Sequence, residues 1–383
     1  MAFHCGVLQW LAERGRLGDI SHISSVSGGS LFTGLVFQLG NWEWPSDETY
    51  CADIKPRIRA LLTQSSLQAV ALRRLLRPKN WRYLLSRANI LSETIASHWG
   101  IVVSLRYLPA KPVWSVNATT AENGKRFRFK QTGCGDYEIG YADAEGFKVS
   151  DAMAVSAAFP GWIGPFAIRT ADFAWQRREA WNDPPESAAK VTPPFPRLHL
   201  YDGGIYDNLG MEPLFETGSR SFKGGINSLV VSDAGAPLAR NPLGRALNPF
   251  RVWRVADIAL EQTRALRIRV WIEFLQSHPE CGMYLQLGAH APGLVKKYAA
   301  NNPEGATALL KESWLDREEV DRAAAEPTSL GRLTPGAFDR LERHGYETAR
   351  WNEILFMRQE AAEGESGKKG EDFWDHGSNS DRV

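Results

Sequence analysis

Ile20-Ser21-His22-Ile23-Ser24-Ser25-Val26-Ser27-Gly28-Gly29-Ser30-Leu31 is the stretch on which the fold turns. Its first seven residues are small and half apolar, the composition of a short strand. Ser27-Gly28-Gly29-Ser30 then supplies a turn, and Leu31, Leu35, Val36 and Leu39 recur at helical spacing. Upstream, Phe3, Val7, Leu8 and Leu11 mark another helical face, broken at Gly15 and Gly18. The chain therefore opens as helix, strand, glycine turn, helix.

Working outward, residues 54–92 read as helical with a break at Pro78. Strand patterns begin near Val113-Trp114-Ser115-Val116, pass the hairpin signal Asn123-Gly124, and continue through alternating Phe127 and Phe129. Ser150 or Asp151 is placed to cap a short alanine-rich helix that ends at Pro160-Gly161. Residues 182–197 carry five prolines, Pro184, Pro185, Pro193, Pro194 and Pro196, and read as loop. Two strands follow, each ending in an acid: Leu198–Tyr201 before Asp202, and Leu229–Ser232 before Asp233. Helical patterns dominate from Val255 to about Phe356, and residues 361–383 have the charged, glycine-rich composition of a disordered tail. Strands alternating with helices favour an α/β sheet covered on both faces.

Composition removes several classes of function. The 383 residues carry 45 Lys and Arg against 44 Asp and Glu, a net charge of +1 that does not mark a nucleic-acid binder. No apolar run approaches the ~18–20 residues that span a bilayer. Arg14 and Arg16 follow the apolar stretch Phe3–Leu11 instead of preceding it, the reverse of a signal peptide. The expected location is cytoplasmic or peripheral to a membrane. Cys5, Cys51, Cys134 and Cys281 form no CxxC pair, and the eight histidines show no HxxxH or HxH spacing. Neither a disulfide framework nor a metal site is expected, and no cofactor. Most of the fourteen tryptophans are expected to pack in the core or its rim.

Ser27 is the leading catalytic candidate. A serine hydroxyl attacks an ester only if it is exposed, close to a base and near donors for the oxyanion. A sharp strand-to-helix elbow with small neighbours, here Ser25, Gly28 and Gly29, meets the first need. The N-terminus of the following helix meets the last, with Gly28 as the oxyanion donor. The competing reading is a serine that merely caps its helix. For the base, His199 sits inside a strand and reads as structural. Asp202-Gly203-Gly204 ends a strand at the sheet edge where open α/β sheets place ligands, and its glycines allow a sharp turn beside the acid. Asp233-Ala234-Gly235 has the same local form, and the spacing alone separates the two poorly.

These residues resemble the patatin-like phospholipase family, acyl hydrolases with a three-layer α/β/α core and a Ser–Asp dyad. Val26-Ser27-Gly28-Gly29-Ser30 is similar to the family's GxSxG elbow, with Ser25 in place of the first glycine. Asp202-Gly203-Gly204, followed by Asp207-Asn208, resembles its DG[GA] motif, and this implies Asp202 over Asp233. Ala154-Val155-Ser156-Ala157-Ala158-Phe159-Pro160-Gly161 is similar to its small-residue stretch, and Ala2-Phe3-His4-Cys5-Gly6-Val7-Leu8 looks like the helix after its oxyanion loop. The resemblance runs from Ala2 to about Gly235, and Leu330 to Tyr346 is reminiscent of bacterial members. It implies a three-layer sandwich with a mostly parallel central sheet, in one catalytic domain over residues 1–360. The family's GGGx[RK]G loop would precede Ala2, so the expectation is that the loop and its strand lie upstream of Met1.

The function expected is a phospholipase A or lysophospholipase type of lipid acyl hydrolase, with Ser27 as nucleophile and Asp202 as base. The alternatives are a catalytically impaired relative that binds lipid or a partner without turnover, and a Ser-His-Asp esterase. Residues 54–92 contain nine basic side chains, among them Arg73, Arg74 and Arg77, and no acid, with Trp81 and several leucines interleaved. That pattern fits either a helical insertion lying on an anionic bilayer or a solvated basic face. Asn117-Ala118-Thr119 matches an N-glycosylation acceptor without a secretory context.

Overall fold

The computed structural model describes residues 1–160, 163–179, 185–238 and 251–357. Its opening follows the sequence reading: α1 (Ala2–Glu13), β1 (His22–Ser25) and α2 (Gly28–Leu39). A helical run comes next, with α3 (Asp47–Thr49), α4 (Lys55–Gln64), α5 (Leu67–Leu75), a 3-10 turn at Pro78–Tyr83 and α6 (Arg87–His98). Ser66 caps α5, accepting from the Ala69 N–H at 3.1 Å. Pro78 can donate no backbone hydrogen bond, and the chain re-forms as the tighter turn there.

The strands β2 (Val113–Thr120), β3 (Arg126–Lys130), β4 (Gly133–Asp136) and β5 (Gly140–Ala142) precede α7 (Val149–Ser156). Then come β6 (Phe166–Arg169), β7 (Trp175–Arg177), β8 (Ala189–Val191) and β9 (Arg197–Asp202). The remainder holds α8 (Gly204–Asp207), β10 (Phe215–Glu216), β11 (Ser221–Phe222), β12 (Leu229–Asp233) and α9 (Arg251–Ser277). It closes with β13 (Gly282–Gln286), α10 (Ala291–Lys297), α11 (Pro303–Leu309), α12 (Arg317–Ala324) and α13 (Pro335–Phe356). Asp151 is not the α7 cap but its third residue, where its carboxylate accepts from the Lys148 N–H at 2.9 Å.

The architecture is α/β, but the sheet is mixed and mostly antiparallel instead of mostly parallel. In the nine-stranded sheet β1 pairs parallel with β2, and the other described pairs are antiparallel. Connection length accounts for the antiparallel run from β2 to β5 and for the parallel pair. Turns of a few residues, such as the one at Asn123-Gly124, can only return a chain antiparallel, whereas β1 reaches β2 through the helical run 28–98. A second parallel pair, β12 with β13, forms a separate two-stranded sheet bridged by α9. β13 interrupts the region read as helical, since five residues are too short to show a period. Ala189–Val191, inside the stretch read as loop, pairs with β7. Gly161, residues 182–184 and the tail at 361–383 lie outside the described residues.

Two strands share one edge of β2. β1 runs along its first half, with Ser25 opposite Val116, and β9 runs the opposite way along its second half, with Asp202 opposite Ala118. β3 occupies the other edge. The C-terminal ends of β1 and β9 therefore face each other across Asn117. β2 is buried along nearly all its length, as a central strand covered on both faces must be. The main core reaches from Ala2 to Ala349. α1 and α13 cross in near contact at two glycines: a Cβ on Gly6 would fall 1.8 Å from the Glu342 carbonyl oxygen, and one on Gly345 1.9 Å from that of Phe3.

Candidate active site

The elbow at Ser27 is built as its sequence suggests, and strained. Ser27 has φ 50° and ψ −123°, a left-handed conformation unusual outside glycine. It is held there from below: the Ser27 N–H donates to both the carbonyl oxygen (3.0 Å) and the hydroxyl (3.1 Å) of Ser156. The Ser27 carbonyl accepts from the Ser30 N–H at 2.9 Å and starts α2 at once. Ser27 occupies the N-cap position, yet its hydroxyl makes no cap hydrogen bond. It lies near enough to the Asp202 carboxylate to favour that group's ionised form.

The two glycines leave space instead of permitting contact. A side chain on Gly28 would begin 3.8 Å from the Met1 nitrogen, and one on Gly29 3.8 Å from His4 Nε2. Both are ordinary van der Waals distances. A methyl group at either position would be met by ordinary contact, so no close approach demands glycine there. The tight approach lies across the site, where a Cβ on Gly203 would fall 2.5 Å from the Asn117 carbonyl oxygen. The Gly28 N–H has no hydrogen-bond partner among the described residues. The N-terminus of α1, without a side-chain cap, comes up beside it.

Asp202 is buried at the end of β9. Its N–H donates to the Ala158 carbonyl (3.1 Å), and one carboxylate oxygen accepts from the Gly204 N–H (2.7 Å). Burial pushes its carboxyl up to about 7, against the pull of the Gly204 N–H and the Ser27 hydroxyl. Asp233, its local look-alike, is committed elsewhere. It accepts from Arg264 at 2.7 and 3.0 Å, from the Tyr284 hydroxyl at 2.7 Å and from the Gly235 N–H at 3.0 Å, in a buried clamp between β12 and α9.

The histidines stand aside. His199 is half-exposed and pairs with Glu122 at 2.7 Å. The His4 ring lies at the elbow, 3.8 Å from where a side chain on Gly29 would begin. Its Nδ1 hydrogen-bonds Ser232 at 2.7 Å, and burial pulls it down to about 3, so it stays neutral.

Two residues at the junction, Ser156 and Asn117, carry a positioning network that their sequence context did not assign to them. Ser156 Oγ donates to the Asn117 carbonyl (2.7 Å) and bonds Ser30 Oγ (2.8 Å), which bonds Ser25 Oγ (2.9 Å), which accepts from Trp114 Nε1 (2.8 Å). Asn117 Nδ2 donates to Ser24 Oγ (2.8 Å) and to the Ser25 carbonyl (3.1 Å), tying β1 to β2. Asn117 is 1% exposed, which removes it as a surface glycosylation acceptor. The signal for it was an amide between Val116 and Ala118 in an otherwise apolar strand.

Of the membrane-contact candidates, Arg73, Arg77 and Trp81 are exposed. Arg74 turns back to α6, bonding Ser97 and lying 3.7 Å from Glu93. No described helix is long and apolar enough to cross a membrane.

Residues 1–215 match the family model for patatin-like phospholipase, a span that includes Ser27, Asn117, Ser156 and Asp202. A search of curated proteins finds no match.

Proposed function

From the premise that this chain belongs to the patatin-like phospholipase family, we propose that it is a phospholipase A or lysophospholipase type of lipid acyl hydrolase working through Ser27 and Asp202. The family suggests lipid acyl hydrolysis; the type and the dyad are our reading. The observation that carries it is the meeting of two strand ends over Asn117, which sets Ser27, its hydroxyl uncommitted to its own helix, beside the buried Asp202 carboxylate.

In the reaction, Ser27 Oγ attacks the ester carbonyl carbon while its proton passes to Asp202. The carbonyl oxygen, now an anion, faces the Gly28 N–H and the positive end of α2. Collapse breaks the bond to the alcohol, which takes the proton from Asp202 and leaves an acyl-Ser27. Water then attacks the acyl carbon, giving a proton to Asp202. The second collapse frees the fatty acid and returns that proton to Ser27. A carboxyl poised near neutrality can take and return a proton in this cycle, as a general base must. We take residues 1–360 as one catalytic unit in the family's three-layer arrangement, with 54–92 as a helical insertion. A core shared between Ala2 and Ala349 supports this.

The test is hydrolysis of a chromogenic acyl ester. Ser27→Ala and Asp202→Asn should each abolish it, and the double variant should be no worse, because groups acting as one unit are not additive. Asp233→Asn, if folded, should keep turnover. Retained activity in Asp202→Asn would overturn the dyad, as would a folded His4 variant as damaged as Ser27→Ala. A wild type that binds lipid but hydrolyses nothing would leave the non-catalytic reading.

A further inference from the structure

The C-terminal end of α5 and the 3-10 turn behind it present a surface that an ordinary solvated face does not. Leu72, Leu76, Trp81, Leu84 and Leu85 are all more than half exposed, with Leu85 at 89%. Scattered single apolar residues are normal on a protein surface, but five within one short protrusion are not.

The charges there are also distinct. Earlier in the same helical run, Lys55, Arg57 and Arg59 pair with Glu342, Asp53 and Asp339 at 2.7–3.0 Å. Arg73, Arg77, Lys79 and Arg82, interleaved with the exposed leucines, form no ion pair among the described residues, and residues 54–92 hold no acid. The basic segment thus neutralises its inner half and leaves its outer half charged.

We propose that this protrusion is a docking face for an anionic phospholipid bilayer. Leu76, Trp81, Leu84 and Leu85 enter the boundary between headgroups and acyl chains, and the four cations sit at the lipid phosphates. The pattern of aliphatic side chains with one tryptophan and interspersed Arg and Lys is that of an interfacial element. A nucleic acid would instead call for stacking aromatics along a basic groove.

The face adjoins the candidate site. The Leu85 carbonyl lies 3.3 Å from where a side chain on Gly164 would begin, and the N–H groups of Ile163 and Gly164 return to the Phe159 carbonyl. Phe159 is itself 39% exposed and follows Ala158, whose carbonyl holds the Asp202 N–H. Docking through this face therefore brings the Ser27 elbow toward the lipid surface. That last step rests on the dyad reading; the docking does not.

The full chain can be tested by sedimentation with vesicles of phosphatidylcholine alone or mixed with phosphatidylglycerol, alongside turnover of soluble p-nitrophenyl butyrate. The wild type should favour the anionic vesicles and lose that preference in salt well above ~0.15 M, where screening shortens below ~8 Å. Arg73→Gln, Arg77→Gln and Arg82→Gln together should weaken anionic binding ~10- to 100-fold. Leu76→Ser, Trp81→Ser and Leu85→Ser together should abolish it. All six positions are exposed, so both variants should keep the wild-type melting temperature and soluble-ester turnover while losing hydrolysis of vesicle phospholipid. Ser27→Ala should bind vesicles normally. Sedimentation of either triple variant equal to wild type would overturn the proposal. So would wild-type binding without charge preference, or a self-associating wild type that ignores vesicles and is dispersed by the serine variant. If Ser27→Ala keeps butyrate turnover, the dyad reading fails while the docking result stands.

Discussion

At Asp202 one carboxyl carries both a chemical and a stability consequence. Under the proposed mechanism it must be ionised to take the Ser27 proton, and burial pushes it up to about 7, so kcat/KM should climb with pH through an acid limb near that value. A profile flat from pH ~5 upward would mean that another group takes the proton. The same rise makes the folded chain hold a proton that the unfolded chain releases. The stability contributed by that proton is complete below pH ~4 and is lost as pH rises through about 7. Asp202→Asn should therefore raise the melting temperature above pH ~8, by up to ~4 kcal/mol of stability, and change little near pH 4. An unchanged melting temperature at alkaline pH would show that the carboxyl is not held up. Ser156 makes the complementary case, as a positioning residue. Ser156→Ala removes a hydroxyl shared by the Ser27 N–H, Ser30 and the Asn117 carbonyl, for a loss of ~1–3 kcal/mol by urea unfolding. Because it touches Ser27 only through the backbone, kcat should fall while the acid limb stays in place. A shifted limb would place Ser156 in the proton path instead.

Between elements, the α1–α13 crossing is the contact least tolerant of change. Gly345→Ala would drive a methyl group into the Phe3 carbonyl, which cannot move without moving α1, and should lose at least ~1–3 kcal/mol. Gly336, in the first turn of the same helix, has nothing within 4 Å of its missing side chain. Gly336→Ala should gain up to ~1 kcal/mol, from better helix propensity and a less flexible unfolded chain. Urea midpoints of the two variants check the pair: equal shifts would deny the close approach. The crossing also fixes where α1 begins, beside Gly28.

Across the whole molecule, the family match ends at residue 215 but the packing does not. Met283, Leu285, Ala323, Phe338 and Ala349 belong to the same buried core as Phe3, Leu35 and Phe37. The larger of these side chains contribute ~1.5–3 kcal/mol each when buried. Together they rival the ~5–15 kcal/mol by which a typical domain is stable. A chain cut after residue 215 should therefore fail to give a cooperative thermal transition. A soluble 1–215 fragment melting like the full chain would show that residues 216–383 are an addition to the fold and not part of it.

The parts of this protein legible in the sequence are those written in neighbouring residues. The strand–turn–helix at Ser27, the Asn123-Gly124 hairpin, the strands ending at Asp202 and Asp233 and the break at Pro78 each depend on a period or turn chemistry within about a dozen positions. Pairing between distant strands has no such local record. Asp202 reaches Ser27 because β9 lies antiparallel on the same edge of β2 that β1 occupies in parallel, so that two strand ends meet over Asn117. Asp233, with the same neighbours in sequence, ends a strand of another sheet and meets Arg264 instead. Ser27 led the catalytic candidates with helix capping as its rival, and only the tertiary structure shows a hydroxyl that makes no cap hydrogen bond and a carboxylate from far along the chain brought beside it. The basic segment followed the same rule. Its charges were visible from composition, but which of them are already neutralised depended on acids contributed by α13 and α6 after folding.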